Sequence, residues 1–178
     1  MPLLDRLPLS VPVARAVLPS VEQDPMLHAG VALMLLVGLR PGEVSRLTVA
    51  DYEPGPEPHI TVDGNRHIRI APSAAASLDA YLGGQDTEPD EPLLFGFHRQ
   101  HGDMMRRVFT EKTEQARLHV SMHDLRKVAM RAALEDGAPV AHIDAYFGTD
   151  KTGQLTTGDV TPGFDAAMAR TLEAAFGT

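Results

Sequence analysis

Residues 20–43 read SVEQDPMLHAGVALMLLVGLRPGE, and this stretch decides the fold. Ser20 is a typical helix N-cap, and acidic residues fill the first turn after it. The residues that follow are apolar through Val37, and Gly38 marks the end of the helix. Because apolar residues cover nearly every side of this helix, it is predicted to lie at the centre of the molecule.

The sequence on either side predicts a mainly helical α+β domain. Apolar residues alternate along two short segments around Asp63-Gly64-Asn65, which predicts a β-hairpin over 59–70. Further helices are predicted at 41–47, 73–82, 103–116, 123–136, 139–148 and 164–176, with loops at 51–58, 83–92 and 149–162. Residues 1–20 are predicted to be an N-terminal arm, either extended or a broken helix, and residues 21–178 a single domain with one small antiparallel hairpin.

Composition excludes several protein classes. The 178 residues include no cysteine, which excludes disulfide frameworks and thiolate zinc sites. The longest apolar run, 31–37, is far shorter than the ~20 residues that a membrane span needs. A cytoplasmic protein without membrane contact is therefore predicted, associated with the nucleoid if it binds DNA.

Charge is distributed unevenly along the chain. The net charge is −8, which argues against a protein whose whole surface coats nucleic acid. Residues 97–131 nevertheless hold eight Lys and Arg against four Asp and Glu, whereas the rest of the chain holds eight against twenty. An acidic protein thus contains one candidate basic face.

Two short motifs, GLRPGE at 38–43 and HDLR at 123–126, stand on either side of the predicted hairpin. Their order and setting resemble the catalytic domain of the tyrosine recombinase (phage integrase) family. In that family the first motif supplies one catalytic arginine, and the second supplies a histidine and another arginine. The resemblance spans about residues 22–176 and implies the fold of that catalytic domain, with double-stranded DNA as the partner.

The resemblance also implies a role for each retained residue. Arg40, His123 and Arg126 match family positions that contact a DNA phosphate, where forked arginine hydrogen bonds neutralise negative charge. Arg66 and Lys127 are further basic residues in these segments and are predicted to bind DNA phosphate as well. The interpretation requires Arg40, His123 and Arg126 to converge on one anion-sized site.

The resemblance implies that three other family positions have lost their catalytic residue. Gly64 stands where the hairpin lysine would be, and Thr149 replaces the second histidine. The position of the nucleophilic tyrosine falls on Val160, or on Gly158 if it is counted from Thr149. Tyr146 lies at an apolar helix position and is predicted to be a core residue. No covalent phosphotyrosyl intermediate forms without a nucleophile. The resemblance therefore implies a catalytically inactive DNA-binding protein related to DNA integration and recombination, either acting alone or modulating an active recombinase.

Two other function classes stay open. The first is a protein-interaction scaffold on the same fold with no DNA role, which the acidic net charge favours. The second is a metal enzyme, because His98-x-x-His101 and His119-x-x-x-His123 have spacings that metal ligands use. Neither histidine pair lies within one predicted helix, so no metal and no cofactor are predicted.

The predicted C-terminal helix, 164–176, carries an apolar stripe that must be covered. This stripe can be buried in two ways. The helix docks on a second copy or on an active recombinase, as in the resembled family, or it folds back on its own domain. The stripe consists of Phe164, Met168, Leu172, Ala175 and Phe176.

Overall fold

The structure, a computed structural model, describes residues 8–98, 101–149 and 160–177. Over these residues it is mainly helical with one small antiparallel sheet, which confirms the predicted fold class. The helices are α1 (Val11–Arg15), α2 (Val17–Ser20), α3 (Pro25–Leu36), α4 (Pro41–Val44), α5 (Pro72–Leu82), α6 (Gly102–Gln115), α7 (Met122–Glu135), α8 (Val140–Phe147) and α9 (Phe164–Phe176). The strands are β1 (Tyr52–Glu53), β2 (His59–Val62) and β3 (Arg66–Arg69).

Helix α3 is the centre of the fold, as its apolar sequence predicts. All of residues 29–36 are buried, and the helix packs against α5, α7 and α9. The predicted cap was wrong, because Asp24 rather than Ser20 accepts the capping hydrogen bond, from the Leu27 N–H at 3.0 Å. Pro25 accounts for the difference, since proline favours the first helical position and keeps the preceding residue extended.

Residues 11–20 form a broken helix, one of the two conformations predicted for the first twenty residues. Its apolar side chains join the same core as the rest of the chain. Arg15 also donates a hydrogen bond from Nε to the Ala175 carbonyl at 2.6 Å. The segment therefore packs beside the C-terminal helix. Its buried residues are Ala14, Val17 and Leu18.

The sheet has three antiparallel strands in the order β1-β2-β3. The hairpin of β2 and β3 confirms the prediction for 59–70, with Ile60 opposite Ile68. Strand β1 corrects the prediction of a loop over 51–58. Tyr52 is buried opposite Ile60, and its hydroxyl donates to Asp79 Oδ1 at 2.8 Å, so a contact with α5 holds this strand.

Helices α5, α6 and α7 each begin one residue earlier than predicted. Helix α5 begins at Pro72. The next residue, Ser73, contacts α9: its backbone N–H donates to the Glu173 carboxylate at 3.0 Å. In α7 the N-cap is Ser121, whose hydroxyl lies 2.7 Å from Asp124 Oδ2. These caps place the start of α7, and with it the HDLR motif, against the end of α3.

Helix α9 folds back on its own domain, which is one of the two coverings left open by the sequence. It packs against α7, α8 and α3, and Met168, Leu172 and Phe176 are fully buried. Its first turn is anchored by Asp165, whose Oδ2 accepts from the Arg69 N–H at 2.9 Å. Three of the five stripe residues are therefore buried within the chain, while Phe164 and Ala175 are half-buried.

The turn after α3 requires glycine at position 38. Gly38 has φ +73, and a Cβ built on it would overlap the Phe147 ring. Gly64 has nearly the same φ, +71, but nothing lies within 4 Å of its Cβ position. We expect Gly38→Ala to lower the free energy of unfolding by about 2 to 5 kcal/mol, and Gly64→Ala by about 1 to 2 kcal/mol. Urea unfolding of both variants measures the difference, and equal losses would contradict the close packing at Phe147.

Candidate anion-binding site

The site begins at the end of α3, where the GLRPGE motif turns the chain into α4. Arg40 is the N-cap of α4, and its backbone N–H donates to Glu43 Oε2 at 2.7 Å. The Arg40 guanidinium returns to the same carboxylate, with Nη1 3.1 Å from Glu43 Oε1. Glu43 is 4% exposed and the Arg40 side chain is 42% exposed. The motif thus presents a surface arginine above a buried carboxylate.

Arg66 brings a second guanidinium to this carboxylate from the first residue of β3. Its Nη2 lies 3.2 Å from Glu43 Oε1, the same oxygen that Arg40 contacts. The guanidinium lies flat against Gly148, where any Cβ would overlap it. Its Nε is buried and has no hydrogen-bond acceptor within the described part of the chain. Arg66 is therefore held in place with one donor unsatisfied.

Arg126 approaches from α7 and is the most deeply buried of the arginines in the site. The residue is 8% exposed. Its Nη1 donates to the Gly38 carbonyl at 2.6 Å and its Nη2 to the Phe147 carbonyl at 2.8 Å. Burial, followed by the positive charge of nearby Arg40, lowers the pKa of Arg126 to about 10. The guanidinium remains charged at neutral pH and joins two loops.

Arg40 and Arg126 contact neighbouring carbonyls at the end of α8. Arg126 contacts the Phe147 carbonyl, and Arg40 Nη2 lies 3.5 Å from the next carbonyl, that of Gly148. These three arginines come from three separate elements and form an arginine cluster: Arg40 and Arg66 contact the carboxylate of Glu43, and Arg126 lies close enough for the charges of Arg40, Glu43 and Arg66 to affect its pKa. The cluster carries an excess of positive charge and is suited to an anion.

Two other predicted phosphate-binding residues lie outside this cluster. The Lys127 side chain is 74% exposed, and its Nζ lies 3.9 Å from Asp124 Oδ1 on the same helix. His123 is exposed and lines a cavity of about 210 Å³ between α6 and the start of α7. Pro41 lines the same cavity, so His123 lies near the GLRPGE turn.

The three positions at which the sequence analysis predicts a missing catalytic residue have different surroundings. Gly64 is exposed in the hairpin turn, and Val160 is half-buried. The Thr149 hydroxyl donates to the Asp144 carboxylate, and its backbone N–H donates to the Asp144 carbonyl at 3.0 Å. Thr156 and Thr157, which begin the family's last motif, lie outside the described residues.

Tyr146 is a core residue, as predicted. It is fully buried and its hydroxyl donates to the Arg69 carbonyl at 2.9 Å. Burial raises the pKa of this phenol well above its usual range. A neutral, hydrogen-bonded phenol without solvent access is unsuited to attack on a phosphate.

The histidine pairs form no metal site among the described residues, where no group of three or more His, Cys, Asp or Glu side chains is placed to hold an ion. The His101 ring instead lies against Phe95, with 4.9 Å between ring centroids. His119 and His123 both line the cavity beside α6. Within the same residues, no helix has the length and apolar character that crossing a bilayer requires.

Glu43 is the site residue that sequence reasoning missed. Glu43 belongs to the GLRPGE motif, but the motif alone assigns no role to its side chain. The available signal was its position three residues after the N-cap, where a glutamate reaches back to the cap N–H. That spacing predicts the Arg40 contact, but the contact with Arg66 depends on the tertiary fold.

Among solved structures that match this chain is a recombinase. XerA recombinase, known from a crystal structure, superposes with a TM-score of 0.69 at 20% sequence identity. The match covers 89% of this chain and 62% of the XerA chain. A scan against protein-family models finds no match, and neither does a search of curated proteins. This chain thus has a tyrosine-recombinase-like fold.

Proposed function

We propose that this chain is a DNA-binding protein on the tyrosine-recombinase fold that holds a backbone phosphate at its arginine cluster without cleaving the strand. Its role belongs to DNA integration or recombination, acting alone or modulating an active recombinase. The observation that carries the proposal is the cluster of Arg40, Arg66 and Arg126, in which Arg40 and Arg66 contact the buried Glu43 carboxylate and Arg126 binds the neighbouring backbone carbonyls. A backbone phosphate supplies the negative charge that the cluster lacks.

The charge distribution supports binding at this place rather than over the whole surface. The chain as a whole carries −8, so attraction to DNA has to come from a local group of cations. Arg40 is the exposed member of the cluster and offers its guanidinium to solvent. Arginine suits this task because its planar fork forms paired hydrogen bonds with phosphate oxygens.

The absence of cleavage is supported by the tyrosines. The chain has three, and none follows position 146. Tyr146 is buried in the core, and the Tyr52 hydroxyl is bound to Asp79. Val160 has no nucleophilic side-chain atom, and Thr149 has no imidazole.

Duplex binding at several salt concentrations tests the proposal. We expect an affinity that falls steeply with salt, and Arg40→Gln to weaken it about tenfold and to reduce the salt slope by about one contact. Arg170→Gln is the matched control, since Arg170 is exposed on α9. Absence of salt-dependent binding at low salt, or equal effects of the two substitutions, would refute phosphate binding at the cluster.

Strand cleavage is tested separately with supercoiled and nicked substrates. We expect no relaxation and no covalent protein-DNA adduct on denaturing gels. Introducing tyrosine at Val160 is expected to leave the protein inactive, because functional groups that act as a unit are strongly non-additive. A covalent adduct that disappears in Tyr146→Phe would overturn the assignment of an inactive site.

The second candidate function is a protein-interaction scaffold. Two large apolar side chains, Phe95 and Met104, are more than half exposed near the start of α6. Together with the acidic net charge, they favour a protein partner over DNA. Failure of duplex binding at low salt, with a stable folded protein, would shift the conclusion to this candidate.

A further inference from the structure

Three of the five exposed large apolar side chains in the described part of the chain lie on elements that pack against one another. Val13 on α1, Leu134 on the last turn of α7 and Val140 at the start of α8 are 40%, 52% and 64% exposed. Helix α7 contacts both α1 and α8. Grouped apolar side chains of this kind mark a binding surface, whereas single ones need no explanation. We call these three residues the corner patch.

The turn between α7 and α8 keeps two members of the corner patch close together. The Ala138 N–H donates to the Ala133 carbonyl at 3.0 Å, and Gly137 reverses the chain with φ +84. This is the hydrogen-bond pattern of a Schellman turn, which closes the end of a helix tightly. Leu134 lies one position after one end of this hydrogen bond, and Val140 lies two positions after the other. The two residues therefore share one corner of the domain.

The N-terminal part of the chain joins the domain beside this corner. Arg131 on α7 donates from Nη2 to the Leu9 carbonyl at 2.8 Å, and Leu9 itself packs against the core. Arg131 and Leu134 are three positions apart on α7, so their side chains are neighbours on the helix surface. Residues 1–7 lie outside the described residues, but the point at which they join the domain is thus next to Leu134.

The composition and length of residues 1–7 suit them to this surface. They read MPLLDRL, in which Arg6 is complementary in charge to the exposed Glu135 beside the patch. Seven residues span up to about 23 Å at ~3.3 Å per residue, about twice the ~10 Å diameter of a helix. The segment is therefore long enough to cross the end of α7 from Leu9 to Val140. Its leucines are Leu3, Leu4 and Leu7.

We propose that residues 1–7 lie across the corner patch and cover it with their leucines. The occupant is the chain's own segment because its attachment at Leu9 holds it beside the patch at a high effective concentration, which a separate molecule has to match. A protein partner reaches the patch only by displacing the segment. This inference concerns a surface other than the arginine cluster and does not depend on DNA binding.

A double-mutant cycle in urea unfolding of the full chain tests the proposal. One change is the triple substitution Leu3→Ser, Leu4→Ser and Leu7→Ser, and the other is Leu134→Ser. We expect each change to lower the unfolding midpoint, and the combined variant to lose clearly less than the sum, because both changes remove the same contact. Met104→Ser is the matched control, since Met104 is 54% exposed on α6, and its loss should simply add to that of the triple substitution.

Protein concentration separates the chain's own segment from a second copy as the occupant. We expect the non-additivity between the triple substitution and Leu134→Ser to be the same at low and high concentration, with light scattering reporting a monomer at the low one. Non-additivity that appears only as dimers form would assign the patch to a second copy and overturn the proposal. Additive losses at every concentration would show that the segment does not bind the patch.

Methyl resonances of the isotope-labelled full chain give a readout that does not depend on unfolding. We expect the triple substitution to shift the methyl resonances of Leu134 and Val140 and to leave that of Met104 in place. Both positions report on the patch itself, whereas Met104 is on α6. Unchanged resonances at Leu134 and Val140, or an equal shift at Met104, would overturn the proposal.

Discussion

Ending the chain after Pro162 is expected to abolish cooperative folding. The deleted segment contains α9, whose Met168, Leu172 and Phe176 are fully buried in the domain's own core. Their burial contributes roughly 5 to 9 kcal/mol at about 1.5 to 3 kcal/mol per side chain, against a total stability of about 5 to 15 kcal/mol for a typical domain. The central helix α3 would also lose one of the three helices that cover it.

Polar contacts made by α9 add to this loss. The Glu173 carboxylate accepts from the Ser73 backbone N–H at 3.0 Å, and Asp165 accepts from the Arg69 N–H at 2.9 Å. Arg15 donates to the Ala175 carbonyl, so α1 is held by α9 as well. Removal of the helix therefore exposes groups on the first helix, the sheet and α5 together.

Circular dichroism and urea unfolding measure the outcome. We expect the truncated chain to show no cooperative transition, whereas full-length Arg170→Ala, altered at an exposed position of α9, unfolds like the parent. Leu172→Ala is a graded test, with an expected loss of about 2 to 5 kcal/mol. A truncated chain that is soluble, monomeric and cooperatively folded, derived from an oligomeric parent, would contradict the packing within the chain.

Most of the fold was predictable because its elements have strong local signals. The apolar run before Val37 predicts a central helix, and the alternation around Asp63-Gly64-Asn65 predicts the hairpin. The left-handed Gly148, at φ +65, ends α8 where the sequence predicts. Each of these signals lies within a dozen residues, so no tertiary information is needed to interpret it.

Strand β1 and the Arg66–Glu43 contact were missed because tertiary contacts determine both. Strand β1 has two residues, too few for any alternation to be visible, and it depends on a hydrogen bond from Tyr52 to Asp79 on α5. In the site, Arg40 and Arg126 could be paired from motif order. The contact of Arg66 with Glu43 spans 23 positions and depends on how the hairpin packs against α4. No periodicity or capping rule contains that information.

Glu43 should be the most sensitive charged residue in the molecule. Its 4% exposed carboxylate is bonded to the guanidinium groups of Arg40 and Arg66, and Arg126 is close enough for its pKa to respond to Glu43. Glu43→Gln keeps the size of the side chain but removes the buried negative charge that Arg40 and Arg66 contact, and leaves, among the described residues, only the exposed Asp63 carboxylate to offset these positive charges. We expect a loss of about 3 kcal/mol in the free energy of unfolding, the lower end for removing one partner of a buried ion pair, because Arg40 is partly in solvent.

Asp63→Asn is the matched control for this substitution. Asp63 accepts two hydrogen bonds from Arg46, at 2.8 and 2.9 Å, but both side chains are nearly half exposed. An exposed pair of this kind is worth about 0 to 1 kcal/mol, and asparagine tolerates the positive φ of this turn position well. Added sodium sulfate should restore stability to Glu43→Gln more than to Asp63→Asn at equal ionic strength, because a bound anion replaces the missing carboxylate among the arginines. Equal losses in the two variants, or equal recovery in sulfate, would show that the arginine cluster does not depend on Glu43 for its charge balance.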